Sequence, residues 1–142
     1  MRTQVNEATG AISPDGRWVL YAANDSGQFE IYVQAFPGAE ASPKGRWRIS
    51  NGGAYDVKWR GDGKEVYYQT LNGKVMAATI QAGPQGLRAE TPRELFAPNF
   101  VAASLHNFDV TGDGQRFLLM LNVGQNSNRL TIVSNWQAAL RK

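Results

Sequence analysis

The chain of 142 residues has no cysteine, a single histidine and no long apolar run. The lack of cysteine excludes disulfide bonds and thiolate metal sites. A membrane-spanning helix needs about 20 consecutive apolar residues, and no stretch of this sequence approaches that length. We therefore expect no membrane partner, no metal and no other cofactor.

Charge is also sparse, at 19% of residues against 42% hydrophobic residues, which is typical of a folded soluble domain and not of a disordered chain. The net charge is +3, and the basic residues are scattered. Their densest cluster is Arg46-Trp47-Arg48, where strand alternation puts both arginines on one face. This pattern is typical of a solvated edge strand, so we expect no nucleic-acid partner.

One short turn signal occurs three times, as Pro14-Asp15-Gly16, Gly61-Asp62-Gly63 and Gly112-Asp113-Gly114. The aspartates lie 47 and then 51 residues apart, and an apolar run follows each turn. Short strands repeating at this period are typical of β-propeller blades. Because the motif recurs once per repeat, we interpret each aspartate as the acceptor of an Asx turn and the following glycine as its residue with positive φ. The alternative is a ring of carboxylates that binds metal.

The sequence therefore predicts an all-β propeller fold with four antiparallel strands per blade and three blades, at about 8–53, 54–100 and 101–136. The second strands are expected at 18–23, 65–70 and 116–122. Segments 37–43 and 83–92, rich in glycine and proline, are expected to be exposed loops. Residues 136–142 are predicted to form a C-terminal tail with a short helical turn.

Three blades are too few to close a propeller, which usually has four to eight. Both end faces would be as apolar as a domain interior, so the chain should associate. Twofold symmetry is the commonest closed arrangement, and it predicts a homodimer with six blades. Residues 2–6 belong to no repeat, and we interpret them as the closing outer strand of a third blade, in the partner or in the same chain.

The segment SPDGRWVLY at 13–21, followed by EIYV at 30–33, resembles the Pro-Asp-Gly, WD-like propeller repeat found in TolB. Two further segments, FDVTGDGQRFL at 108–118 and LTIVSNWQAAL at 130–140, resemble the end of the extracytoplasmic sensor propeller of certain bacterial serine/threonine kinases. The resemblance implies a propeller that senses, scaffolds or assists an enzyme. No signal peptide is visible, so we expect a cytoplasmic protein if the chain is full length and an extracytoplasmic one if it derives from such a sensor.

Loops between blades carry the candidate ligand-binding residues, because function concentrates on loops around a propeller channel. The predicted rim consists of Asn51, Tyr55, Phe100, His106 and Asn107. They would bind a peptide, protein or small polar ligand through hydrogen bonds and ring stacking, without catalysis. One alternative is a sugar- or peptide-processing enzyme, which would need a carboxylate pair such as Asp56 with a partner. The other is a fragment whose role is assembly itself.

Overall fold

The computed structural model describes residues 7–38, 45–98, 100, 106–122 and 128–134, and in these residues it contains strands and no helix. Sheet I contains β1 (Glu7–Ile12), β2 (Trp18–Ala23), β3 (Glu30–Ala35) and β4 (Arg46–Arg48). Sheet II contains β5 (Ala54–Trp59), β6 (Glu65–Thr70), β7 (Val75–Gly83), β8 (Gly86–Ala89) and β9 (Arg93–Phe96). Sheet III contains β10 (Phe108–Val110), β11 (Arg116–Asn122) and β12 (Asn128–Ser134).

Every strand pair in these sheets is antiparallel, which confirms the predicted all-β, antiparallel class for the described residues. The predicted second strands at 18–23, 65–70 and 116–122 coincide with β2, β6 and β11. The predicted strand at 2–6 and the tail at 136–142 lie outside the described residues. The number of blades and their boundaries stay predictions.

The segment 83–92 is largely exposed as expected, but the expectation that it is a loop is wrong, because β8 lies within it and pairs with the end of β7. Leu87 of this hairpin is buried in the core that sheets I and II share. Gly86, with φ of +138°, lies against the Trp47 indole, and a Cβ there would come within 2.7 Å of the ring. The glycines that suggested a loop therefore allow a hairpin to pack closely on a tryptophan of sheet I.

Each of the three Asp-Gly turns joins the first and second strands of its sheet. The aspartate Oδ1 accepts a hydrogen bond from the backbone N–H two residues further on, in the pairs Asp15–Arg17, Asp62–Lys64 and Asp113–Gln115. The glycine that follows has positive φ in every case, +72° at Gly16, +69° at Gly63 and +71° at Gly114. The carboxylates thus engage their own turns, as an Asx turn requires.

Sheet II is buried on both faces because neighbouring residues of β6 enter different cores. Val66 and Tyr68 pack into the core with sheet I, whereas Tyr67 points to the opposite face. There it belongs to a second core with sheet III, made of Tyr67, Val75, Ala77, Leu95, Phe108, Phe117 and Leu119. Each buried Val, Leu or Phe side chain of this core contributes about 1.5–3 kcal/mol to stability.

The turns of sheets II and III touch through their backbones. The Gly61 N–H donates to the Gly112 carbonyl oxygen at 2.8 Å. The turn of sheet I carries Pro14 at the position of Gly61, and proline has no N–H to donate. A Cβ on Gly61 would also lie 2.8 Å from the same oxygen. The change from Pro-Asp-Gly to Gly-Asp-Gly along the chain therefore accompanies a backbone contact that proline could not make.

We expect Gly61→Ala to destabilise the fold by about 1–3 kcal/mol, because its methyl group would be forced against the Gly112 carbonyl. Gly112→Ala is the matched control, since Gly112 holds the equivalent turn position and a Cβ there meets nothing closer than 4.0 Å. Urea unfolding followed by tryptophan fluorescence measures both changes. Equal stability of the two variants would contradict the close approach of the turns.

Candidate functional site at the seam between sheets II and III

The repeat is visible in the strand registers as well as in the turns. Shifting residue numbers by 47 and then by 51 superimposes the register pairs Gly10–Tyr21, Val57–Tyr68 and Phe108–Leu119. The residue before each first-named partner is Thr9, Asp56 and Asn107. These three equivalent positions lie where the first strand of each sheet begins.

The first two of these positions have an unusual backbone. Thr9 and Asp56 are the non-glycine residues with positive φ in the described chain, at +44° and +51°. Each one lies at a β-bulge, between Ala8 and Gly10 or between Tyr55 and Val57. A non-glycine residue in this conformation costs of order 1 kcal/mol or more, and such strain is concentrated at functional sites.

The Asp56 side chain crosses from sheet II to sheet III. Its Oδ2 atom accepts hydrogen bonds from the backbone N–H of Asn107 at 2.9 Å and of Phe108 at 3.4 Å. Asp56 is 0% exposed, so both bonds are shielded from water. The carboxylate therefore fixes the start of β10 against β5.

The second oxygen of Asp56 has a different environment. Oδ1 is buried and accepts no hydrogen bond; Nδ1 of His106 lies 3.5 Å away and Nζ of Lys58 lies 3.9 Å away. Burial raises the pKa of Asp56 above its ordinary value, although the two backbone N–H groups and the nearby cations act in the opposite direction. Ionised Asp56 thus opposes folding, while its hydrogen bonds favour it.

Two other buried carboxylates show what a purely structural acid looks like here. Glu30 accepts hydrogen bonds from the backbone N–H groups of Gly52 and Gly53 and from the Ser50 hydroxyl. Glu65 forms ion pairs with Arg60 and Arg93 and accepts a hydrogen bond from the Tyr67 hydroxyl. Both oxygens of each are therefore engaged. Asp56 differs from them because one of its oxygens accepts no hydrogen bond.

Tyr55 extends the site along β5. Its hydroxyl accepts a hydrogen bond from Nε2 of Gln69 at 2.9 Å and is also hydrogen-bonded to the Asn107 side chain. Burial and the neighbouring Asp56 charge raise the Tyr55 pKa, so the phenol stays protonated at neutral pH. Oε1 of Gln69 is buried and accepts no hydrogen bond. Asp56 and Gln69 of this cluster therefore each have a buried acceptor atom without a donor.

A cleft of about 240 Å³ lies beside this cluster. Its polar lining includes Lys58, His106 and Asn107, and its apolar lining includes Phe108, Leu118 and Met120. The His106 side chain is 68% exposed, so its ring borders solvent directly above the buried Asp56 carboxylate. The arrangement can bind a small polar or charged group, because an exposed imidazole, an ammonium and the Asp109 carboxylate lie on one lining.

Three of the five predicted rim residues, Tyr55, His106 and Asn107, come together around Asp56. Tyr55 lies within β5, not in a loop as expected. Asn51 is exposed in the bend before β5. Phe100 packs against the second core, and its backbone forms an antiparallel bridge with Leu121. Neither takes part in the hydrogen bonds and ion pairs described for Asp56.

The sequence suggests Asp56 only as half of a carboxylate pair, and no sequence pattern points to Lys58 or Gln69. Lys58 and His106 lie within 4 Å of the Asp56 carboxylate, and Asp109 lines the adjacent cleft. The available signal was the repeat itself, because Asp56 follows Thr9 by 47 residues and precedes Asn107 by 51.

Over the described residues, no three His, Asp or Glu side chains are grouped so as to hold a metal, and no helix could span a membrane.

Comparison with known structures defines the class of the protein as a β-rich, TolB-like fold. The crystal structure of TolB from Acinetobacter baumannii matches with a TM-score of 0.56 and 18% identity over 89% of this chain. The chain spans 29% of that TolB chain. A putative 6-phosphogluconolactonase from Bacteroides fragilis matches at a TM-score of 0.40 and 14% identity, over 93% of this chain and 55% of its own. No family model matches the sequence, and no curated protein sequence is significantly similar to it.

We expect Asp56→Asn to gain stability relative to the unmodified protein as the pH rises. The folded-state pKa of Asp56 is raised, so its favourable contribution is complete below the unfolded value of 3.8 and is lost as the pH rises through the folded pKa. Asparagine keeps an oxygen for the two backbone N–H groups but carries no charge. Urea unfolding from pH 3 to pH 8 measures the difference.

Asp62→Asn is the control with the opposite sign. Hydrogen bonding to Arg60 lowers the pKa of Asp62 to about 2, so its contribution is present above 3.8 and is lost as the pH falls towards 2. This variant should therefore be the less stable one at neutral pH and should match the unmodified protein in acid. A stability difference for Asp56→Asn that shrinks with rising pH would show that burial does not dominate at Asp56.

Proposed function

We propose that the protein is a non-catalytic propeller module for binding or scaffolding, and that its ligand is a peptide, protein or small polar molecule held at the Asp56 cluster. The observation that supports this proposal most directly is that Asp56 combines two features, each of which lowers the stability of the fold. Asp56 has a strained backbone and a buried carboxylate that is only half engaged. Stability alone would favour neither feature, and both are typical of functional sites.

The polar contacts of the cluster support recognition more than catalysis. His106 and Lys58 present cationic or donor groups at the surface. The polar side chains of Tyr55 and Gln69 are held in place by the hydrogen bond between them. A ligand with an acceptor group would meet these donors beside the Asp56 carboxylate. A small number of placed polar groups is what gives a binding site its specificity.

The proposal includes a partner, because three sheets do not make a closed propeller. We infer that each sheet is a blade and that a second copy of the chain completes a six-bladed ring. The fold similarity to TolB supports the interpretation of the sheets as blades. Exposed Leu118 and Ile132 on the outer side of sheet III support an unfilled blade interface. Residues 2–6 of the second copy would supply the outer strand of the third blade.

The binding site is tested with a random-peptide phage library panned against the immobilised protein. We expect the enriched peptides to bind His106→Ala and Tyr55→Ala at least about tenfold more weakly, a loss of about 1.4 kcal/mol. Gln115→Ala is the control, since Gln115 is exposed in the turn at the other end of β10. Peptides that bind all four proteins equally would place the ligand elsewhere.

The ring is tested by the mass of the protein in solution. We expect light scattering after gel filtration to give twice the 15.6 kDa of one chain. The dimer should persist at micromolar concentration, because blade interfaces are as apolar as a domain core. A mass of one chain under these conditions would contradict the homodimer, whatever the outcome of the peptide experiment.

A further inference from the structure

The two seams between sheets are built from equivalent positions. At the seam between sheets II and III, the Tyr67 and Phe117 rings pack edge to face with centroids 5.1 Å apart. Leu20 lies 47 residues before Tyr67, and Val66 lies 51 residues before Phe117, so Leu20 and Val66 hold the equivalent positions at the seam between sheets I and II. Both are fully buried in the first core. In each second strand, the position held by Leu20 or Tyr67 thus faces the next sheet along the chain. The position one residue earlier, held by Val66 or Phe117, faces the sheet before it.

The same alignment identifies the two faces that have no neighbouring sheet among the described residues. Leu118 is the equivalent of Leu20 and Tyr67, yet it is 40% exposed where those two are fully buried. Val19 is the equivalent of Val66 and Phe117, and it is only partly buried. Ile132 beside Leu118, and Ile12 on the first strand of sheet I, are exposed as well. The outer face of sheet III and the outer face of sheet I therefore carry the two halves of one repeated interface.

Several residues that line the cleft beside His106 are the repeat equivalents of residues at the seam between sheets II and III. Four of its lining residues, His106, Asn107, Leu118 and Met120, are the equivalents of Tyr55, Asp56, Tyr67 and Gln69. In sheet II, Asp56 binds the backbone N–H groups of Asn107 and Phe108 through its Oδ2 atom, and the Tyr55 hydroxyl is hydrogen-bonded to the Asn107 side chain. The cleft is therefore the place on sheet III where the beginning of another first strand would lie.

A second apolar cleft, of about 330 Å³, continues this face away from His106. Val110, Phe117, Leu118 and Ile132 contribute its apolar lining, and Asp109 and Arg116 its charges. The outer face of sheet I also carries both signs of charge, since Arg46 lies over the Tyr32 ring and pairs with Asp25. Each face thus has an apolar centre with charges of both signs, so neither opposes contact by like charge alone.

We propose that Leu118 of one copy packs on Val19 of a second copy, and that the Thr9–Gly10 backbone of the second copy lies in the cleft beside Asn107. This inference rests on the proposed function, because it specifies which surfaces close the inferred ring. The occupant is a second copy of this chain because the sheet I face supplies the same repeat position, Val19, that Val66 and Phe117 occupy at the internal seams. With two copies, each chain provides both faces, so the contact closes on itself.

Cross-linking between single-cysteine variants tests the contact, because the natural chain has no cysteine that could react. A Val19→Cys chain is mixed with a Leu118→Cys chain, the mixture is unfolded and refolded together, and a short bismaleimide is added. We expect a covalent species of two chains from this mixture. A Leu71→Cys chain replaces the Leu118→Cys chain in the control, since Leu71 is 54% exposed but lies in the turn between β6 and β7.

The outcomes separate this inference from the proposed ring. A solution mass of two chains with cross-linking through residue 118 and not through residue 71 supports both. A mass of two chains with no cross-link through residue 118, or with equal cross-linking through residue 71, overturns the assigned contact and leaves the dimer standing. A mass of one chain overturns both.

A charge substitution provides a second measurement that does not depend on cross-linking geometry. Leu118→Lys should raise the dissociation constant of the dimer at least about tenfold, because a lysine would be buried in an apolar contact. Leu71→Lys should leave the constant unchanged. Equal dissociation constants for the two variants would overturn the assignment of Leu118 to the interface.

Discussion

The close approach of neighbouring first strands is the constraint on which the rest of the structure depends. At one end of the seam between sheets II and III, the Gly61 N–H donates to the Gly112 carbonyl, which requires a residue with neither a side chain nor a proline ring. At the other end, Asp56 accepts hydrogen bonds from the first backbone N–H groups of sheet III. These two contacts fix the relation between the sheets, and Tyr67 and Phe117 fill the space between them.

Asp56 combines this structural role with the properties of a candidate site. Glu30 and Glu65 show that this fold can bury a carboxylate and satisfy both of its oxygens. At Asp56 the chain satisfies only one oxygen and leaves the other facing an exposed histidine and a lysine. The hydrogen bonds of the seam explain why a polar residue occurs at this position. They do not explain why the residue is ionisable, whereas the proposed recognition of a ligand would explain it.

The strand pattern was largely readable from the sequence because local chemistry determines it. Turns with Asp-Gly and runs of alternating apolar residues predicted β2, β6 and β11 with correct ends. The error over 83–92 arose because glycine and proline indicate a turn but not whether strands flank it; only the packing of Gly86 on Trp47 makes that hairpin part of the fold. Of the residues predicted for the rim, His106 and Asn107 lie beside Asp56, whereas Phe100 packs against the second core, most of whose members are distant from it in sequence.

By itself the sequence determined the all-β class, the repeated turn and the period of the repeat, because each of these depends on residues that are close along the chain. Only the tertiary structure decided that Asp56 lies at the seam and binds the backbone of Asn107 and Phe108, about fifty residues away. Its positive φ, its complete burial and the nearness of His106 depend on how two sheets meet. No local pattern encodes that meeting, because the carboxylate acquires its unusual environment only when the second sheet covers it.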